Sequence, residues 1–326
     1  MATYKEIKGT QIEVLASDPS NPVEGQVWFN STSNVLKGSV LAAAAWANGG
    51  NMNTARDQLA AAGNSPSSTT LIFGGDTTPH VANTELYNGS NWTEVNDLNT
   101  ARRLLSGAGT NTAALAVSGF NGPPGSQNVA ATETWNGTNW TEVNNQNTAR
   151  RESGGNGTQT SALLVSGYNG TARVANVESW NGTNWTEVND INTARSGLEA
   201  VGADNTSSLA FGGLEPPTTG KTESYNGTNW TEGNDLNTAR YNLKGSGSAT
   251  LALGFGGGPP AVANTESWNG TNWTETSDLS TARYFHSGAG SSTAALAAGG
   301  NTGPADSAAT EEFTGAGPVT RTFTDS

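Results

Sequence analysis

Short apolar runs recur along most of the chain, each closed by glycine and followed by stretches rich in Asn, Thr and Ser. None sustains a period of 3.6, and the Ala-rich segments are short and bounded by glycines, so the pattern predicts strands and no helix. The apolar runs are Thr70 to Gly75, Ala113 to Gly119, Leu163 to Gly167, Leu209 to Gly213, Leu251 to Gly257 and Ala294 to Gly300. A strand of small residues precedes each, as in Leu104 to Gly109. A loop of varied sequence follows, then Thr-Glu-x-aromatic, as in Thr84 to Tyr87 or Thr222 to Tyr225. Asn-Gly-Thr/Ser-Asn then leads into Trp-Thr-Glu, as at Trp92 and Trp140. Asn-Gly predicts a tight hairpin turn there, because both residues tolerate positive φ. Four short strands in this order make one unit.

The unit repeats. Thr-Ala-Arg recurs in register with its arginine at Arg56, Arg102, Arg150, Arg195, Arg240 and Arg283, at steps of 43 to 48 residues. That period fits a four-stranded propeller blade and is too long for a leucine-rich or tetratricopeptide unit. A further Thr-Ala-Arg, ending at Arg173, falls out of register in a loop. Ala and Gly suit strands near a propeller axis, where blades converge, and aromatics suit the outer strands. Trp46 stands eight residues before Thr54, as Trp92 stands before Thr100. Ala45 to Met52 therefore reads as an outer strand with no blade of its own. The last repeat reaches Phe313 without a following Trp-Thr-Glu, so the N-terminal strand is expected to complete it, with Val319 to Thr324 pairing nearby. The expectation is six blades. Seven is the alternative, if residues 24 to 53 and the C-terminal tail build one more.

The Gly pairs (Gly74-Gly75, Gly212-Gly213, Gly256-Gly257, Gly299-Gly300), the following aromatics (Tyr87, Trp135, Trp180, Tyr225, Trp268) and the later tryptophans (Trp92, Trp140, Trp185, Trp230, Trp273) resemble those of kelch and galactose-oxidase-like propellers. The resemblance runs over residues 41 to 326, with Ser118-Gly119 and Ser166-Gly167 departing from it. It implies an all-β, six-bladed kelch-like β-propeller at 41–326, behind an N-terminal segment at 1–40 that carries a β-hairpin of Val27 to Asn30 and Val35 to Lys37.

Composition narrows the function classes. Ten Trp at regular spacing argue against disorder, and 42 Gly with 34% hydrophobic residues imply many turns around a thin, divided core. The net charge of −13 opposes binding to a nucleic-acid backbone or to an anionic bilayer. There is no Cys, hence no disulfide and no thiolate ligand. Met1 to Val14 lacks the apolar run of a signal peptide, and no stretch is suited to membrane insertion. The protein is expected to stay in the cell that makes it, or to leave within an assembled particle.

No catalytic, cofactor or metal site is expected. A catalytic centre is asymmetric, whereas Glu85, Glu133, Glu178, Glu223, Glu266 and Glu311 occur once per repeat. The six arginines are expected to make structural contacts to carboxylates or carbonyls. His80 and His286 lie in different repeats without a carboxylate at metal-ligand spacing, and are read as loop or blade residues. Sequon-like Asn-Gly-Thr triplets are read as turn chemistry. Variation is concentrated in the loops between second and third strands, which share a face and supply the candidate binding residues His80, Asn121, Pro123, Arg173, Pro216, Lys221, Pro259 and Pro304.

Residues 18 to 37 resemble the Pro-x-x-Gly-x-x-Trp-Phe-Asn-x-Thr segments of bacteriophage tail fibres and appendage proteins, and kelch-like repeats behind such a segment resemble virion proteins of marine cyanophages. That resemblance implies a virion appendage. Its N-terminal segment would meet other virion proteins or further copies of the chain, in a homo-oligomer, and its propeller would face a host-surface glycan or protein. An architectural role without receptor contact and an intracellular kelch-type interaction module are the alternatives.

Overall fold

A computed structural model describes residues 12–122 and 127–323, and every regular element in it is a β-strand. Among the described residues no helix is long and apolar enough to cross a membrane. The strands form seven four-stranded sheets, where six were expected from the repeats. Six sheets contain one repeat each. The seventh lies outside the repeats and is made by the two ends of the chain. The architecture is all-β and propeller-like, and it divides into two compact units: residues 46–314, and a smaller unit formed by the chain through Ala45 together with the segment from Gly315 onward.

Within a repeat the strands follow one another as an antiparallel meander. In the second repeat these are Ser106–Thr110, Ala113–Val117, Thr132–Trp135 and Trp140–Val143. The first strands of successive repeats pack in order, and Ser287–Gly290 of the last packs against Ala60–Ala61 of the first. They are small because nothing larger fits: a Cβ on Gly107 would lie 2.1 Å from the carbonyl oxygen of Ala61. The core is correspondingly divided into slices between neighbouring sheets. One holds Phe73, Leu98, Leu105, Ala116, Trp135 and Trp140 of the first and second repeats, and another joins Leu59, Ile72, Tyr87 and Trp92 to Ala289, Leu296 and Ala298 of the sixth.

The outer tryptophans link sheets by packing and by hydrogen bonding. Trp140 meets Phe73 of the preceding repeat at 4.8 Å between ring centroids, and its Nε1–H donates to Thr84 Oγ1 at 3.1 Å. Trp273 meets Phe211 and Thr222 of the fourth repeat in the same way. In the third repeat Val177 takes the threonine's place, and Trp230 donates to the Asn189 carbonyl at 3.1 Å instead. The sixth sheet takes its outer strand from far upstream. After β1 (Glu13–Leu15), β2 (Val27–Asn30) and β3 (Val35–Ala42), β4 (Ala45–Asn48) lies beside Thr310–Thr314. Its Trp46 packs on Phe255 at 5.1 Å and donates to Thr265 Oγ1 at 3.1 Å, the partners that its repeat counterparts take.

Backbone hydrogen bonds complete the join. The residue two past each repeat arginine donates its N–H to the carbonyl of its counterpart in the preceding repeat: Leu104 to Gln58, Glu152 to Leu104, Gly197 to Glu152, Asn242 to Gly197, Phe285 to Asn242, and Gln58 to Phe285, at 2.7 to 3.1 Å. The series returns to its start. All six residues have φ between 53° and 63°, a left-handed conformation held here by five non-glycine residues. A second cycle links Gly75, Gly119, Gly167, Gly213, Gly257 and Gly300 to the arginine carbonyl of the next repeat, again closing from Gly300 to Arg56.

The small unit departs from the sequence reading in extent. The hairpin at Val27 to Asn30 and Val35 to Lys37 is present, with β3 running on to Ala42. β1 adds a parallel strand to β2. The C-terminal strand, Gly317–Thr322, pairs with β3 through Val319 to Val40 and Thr320 to Ser39, not with the sixth repeat. The longer β3 offers it an unpaired edge, whereas β4 already occupies the outer edge of the sixth sheet. The unit boundary therefore falls after Ala45, and the tail leaves the repeat unit. Asp18 pins the small sheet, accepting from Trp28 Nε1 at 3.0 Å, Asn30 Nδ2 at 2.7 Å and Lys37 Nζ at 2.7 Å. The Lys37 ammonium and these donors hold its carboxyl down to about 2.

The Asn-Gly segments are not two-residue turns. Tyr87 pairs directly with Trp92, leaving a four-residue loop in which only Gly89 has positive φ. Asn88 Oδ1 accepts the backbone N–H of Ser90 and Asn91, and the same arrangement recurs at Asn136, Asn181, Asn226 and Asn269.

Trp46→Ala should cost about 3–5 kcal/mol of unfolding free energy, as for other buried tryptophans. Chemical denaturation of the full chain measures this. A loss below about 1 kcal/mol would mean that β4 contributes no more than an ordinary surface strand.

Candidate functional site

The residues that recur in every repeat are consumed by structure. Each repeat arginine is buried against the glutamate of its own third strand: Arg102 to Glu133 at 3.1 Å, Arg150 to Glu178 at 3.1 Å, Arg283 to Glu311 at 2.7 Å, with Arg56–Glu85, Arg195–Glu223 and Arg240–Glu266 closer still. The guanidinium also donates to strand carbonyls, Arg102 to Ala116 and Arg240 to Gly254 among them. Burial pushes Arg102, Arg150 and Arg283 down, and the facing glutamates oppose it. The other glutamate oxygen accepts from the residue three before the arginine. Asn53 gives both its backbone N–H and its side-chain amide to Glu85, and Asn99, Asn147 and Asn237 do likewise to their own glutamates. An oxygen so engaged has no capacity left for a substrate.

The positions where repeats disagree lie together on one face. Directly after each arginine stand Asp57, Arg103, Arg151, Ser196, Tyr241 and Tyr284. Five of these six form isolated bridges to the first residue of the varied loop of the same repeat: Asp57 to Asp76, Arg103 to Phe120, Arg151 to Tyr168, Ser196 to Leu214 and Tyr284 to Asn301. The loops and the residues around the hydrogen-bonded cycle thus form one surface. Reading the repeats in columns exposes it, because the residues after Thr-Ala-Arg are where an otherwise near-identical unit stops agreeing.

On one side of this surface the Arg151 guanidinium lies 5.1 Å from the Phe120 ring and 4.8 Å from the Tyr168 ring, while its Nη1 donates to Asn128 Oδ1 at 2.8 Å. Arg103 sits 5.3 Å from Phe120 and pairs with Asp76 at 2.7 Å. His80 is a loop residue, as expected, and its Nδ1 lies 2.9 Å from Asp76 Oδ1, with its ring edge-on to Phe120. The loop folds back on itself, so a partner four residues away becomes a neighbour. His286, by contrast, is wholly buried, and burial pushes its pKa well down, with Arg283 and Lys244 adding to the effect. The fourth residues after Arg195 and Arg240 form an opposite-charge pair, Lys244 to Glu199 at 3.0 Å. Burial pushes Glu199 up, against the pull of Lys244.

The candidate loop residues do not form a single site. His80 and Asn121 share a recess with Asp76 and Arg103. Arg173 and Pro259 line a different cleft, with Arg151, Tyr168, Tyr241 and Tyr284. Pro216 and Pro304 are exposed, and Lys221 is engaged by Glu215 at 3.0 Å. Pro123 lies outside the described residues. The aromatic and charged residues of the columns, Phe120, Tyr168, Tyr241, Tyr284 and Glu152, were missed by a reading that looked for motifs along the chain. Among the described residues no group of three or more His, Asp or Glu is placed to hold a metal ion.

Two measurements check these assignments. Arg195→Ala should cost about 3–5 kcal/mol by leaving Glu223 buried and unpaired, and the double variant Arg195→Met/Glu223→Leu should cost less than either single change. Asp57 is pushed up to about 7 by burial, with Asp306 adding to it. A raised carboxyl pKa favours folding at low pH, and that contribution is lost as pH rises from the unfolded value, about 4, through about 7. Asp57→Asn should therefore raise the melting temperature at pH 8 and converge with the parent near pH 4. A lower melting temperature at pH 8 would reverse the sign assigned to this carboxylate. Compared with known proteins, the chain matches no family model, and no curated protein is recognisably similar to it.

Proposed function

We propose that this chain is a non-catalytic attachment protein of a virus particle. In this reading the repeat unit is a closed six-bladed kelch-like propeller whose varied face meets a host surface, and the small unit docks it to other virion proteins. The observation that carries the reading is the segregation of exposed apolar side chains. Ile12, Val14, Val23, Val40, Leu41 and Phe323 all belong to the small unit, and Leu251 is the one exposed large hydrophobic of the repeat unit among the described residues. Apolar groups left exposed in one small unit suit an interface that is meant to be covered. The repeat unit has the opposite character, a rigid frame with differing polar and aromatic residues on one face. The two closed hydrogen-bond cycles support the six-bladed form, and the likeness of residues 18 to 37 to phage appendage segments supports the setting.

Immunogold labelling of purified particles with antibody against residues 46–314 should mark a tail or appendage. Protein confined to the lysate of infected cells would overturn the reading in favour of an intracellular interaction module. The double variant Val14→Asp/Leu41→Asp should abolish incorporation without changing the unfolding of the repeat unit. Normal incorporation of that variant would remove the small unit as the anchor.

A further inference from the structure

We propose that the cleft between the third and sixth repeats binds a carboxylate-bearing sugar, such as a hexuronate unit of an acidic polysaccharide, with Arg173 as the carboxylate partner. This rests on the reading of the varied face as the host-facing surface, and names the ligand class it takes.

The cleft has a volume of about 500 Å³, and its lining includes Arg151, Glu152, Tyr168, Arg173, Tyr241 and Tyr284, together with Asn242 and Phe285. Three tyrosines from three different repeats are held here half-buried. The Tyr168 ring is taken up by the Arg151 guanidinium, which leaves the Tyr241 and Tyr284 rings to meet the C–H face of a pyranose and the tyrosine hydroxyls to hydrogen-bond it. Tyrosine and arginine are also the side chains that supply most binding energy per residue at recognition surfaces.

Among the arginines of the repeat unit, Arg173 stands apart. All six repeat arginines have a glutamate. Arg103 has Asp76, and Arg151 is fixed by two rings, Asn128 and, at 3.8 Å, Glu152. Arg173 has no carboxylate within 4.0 Å among the described residues, and its Nε, like those of Arg102, Arg103, Arg150, Arg195 and Arg240, is shielded from solvent with no hydrogen-bond partner among them. In a chain of net charge −13, a guanidinium without a carboxylate in an aromatic cleft is an unfilled planar fork. The remaining polar groups decide the kind of anion. Glu152 and the Asn242 side-chain oxygen need donors, which the hydroxyls of a sugar provide and a bare polyphosphate does not. The out-of-register Thr-Ala-Arg ending at Arg173 is a loop that places its arginine where no repeat arginine reaches.

Calorimetric titration of the full chain with an oligouronate tests this, alongside a neutral and a sulfated oligosaccharide of the same length. The oligouronate should bind, with affinity falling at least about tenfold in Arg173→Gln, the loss expected for one charge-assisted contact. Tyr241→Ala should weaken it as well. Arg173→Gln should leave the melting temperature unchanged, since among the described residues Arg173 has no carboxylate to lose. Equal binding of the neutral oligosaccharide, a preference for the sulfated one, or undiminished binding by Arg173→Gln would overturn the assignment. Host-cell retention of the chain separates the two readings. Retention that neither oligouronate nor Arg173→Gln reduces would leave the attachment reading standing and remove the sugar, whereas absence of any retention would remove both.

Discussion

Everything outside the small unit depends on where six buried arginines can find a carboxylate. Burying a guanidinium is tolerable only if its charge is paired. Each repeat solves this by folding its third strand so that the glutamate meets the arginine, and by drawing the preceding turn (Asn-Thr-Ala, or Ser-Thr-Ala in the sixth) onto the glutamate's second oxygen. The turn that links one sheet to the next is thereby fastened to the middle of the sheet it enters. The arginine's own carbonyl is then presented to a glycine N–H of the preceding sheet, as in Gly75 to Arg102. Pairing within a sheet and joining between sheets are consequences of one clamp.

The clamp also explains why function is displaced to the residues that follow it. With Arg and Glu paired in every repeat, only the columns after Thr-Ala-Arg and the loops bridged to them can change without breaking the frame. Those columns carry Asp, Arg, Ser and Tyr at one step and Gln, Leu, Glu, Gly, Asn and Phe at the next. The same geometry that forbids variation at Arg195 permits it at Ser196.

Much of the repeat unit was legible in the sequence, because a strict period with Gly, Trp and Thr-Ala-Arg at fixed places leaves few ways to order four strands. Even Trp46 could be recognised as a displaced outer-strand residue from its distance to Thr54. What could not be read were features set by non-local pairing. The partner of Gly317–Thr322 depended on how far β3 extended, which Gly38, Ser39 and Val40 do not announce. The Asn-Gly segments contain the dipeptide of a two-residue turn, but the direct pairing of Tyr87 with Trp92 lengthens the loop and turns Asn88 from a residue of special φ into an acceptor for two amides. The cleft around Arg173 was hidden for another reason. Its members are spread from Arg151 to Phe285, and only the curvature of the unit brings them together.

The hydrogen-bond cycle through Gln58, Leu104, Glu152, Gly197, Asn242 and Phe285 bears on how such a chain can evolve. Near-identical repeats invite unequal recombination, which adds or deletes whole units at the level of the gene. A row of stacked units would accept such a change at its end. A cycle has no end, and one member more or fewer alters the angle at every junction, so each left-handed residue would have to find its neighbour at a new distance. The cycle therefore censors repeat number while leaving the residues between its bonds free to diverge. Diversity in this protein is expected to accumulate by substitution on the face, not by lengthening of the hydrogen-bond cycle.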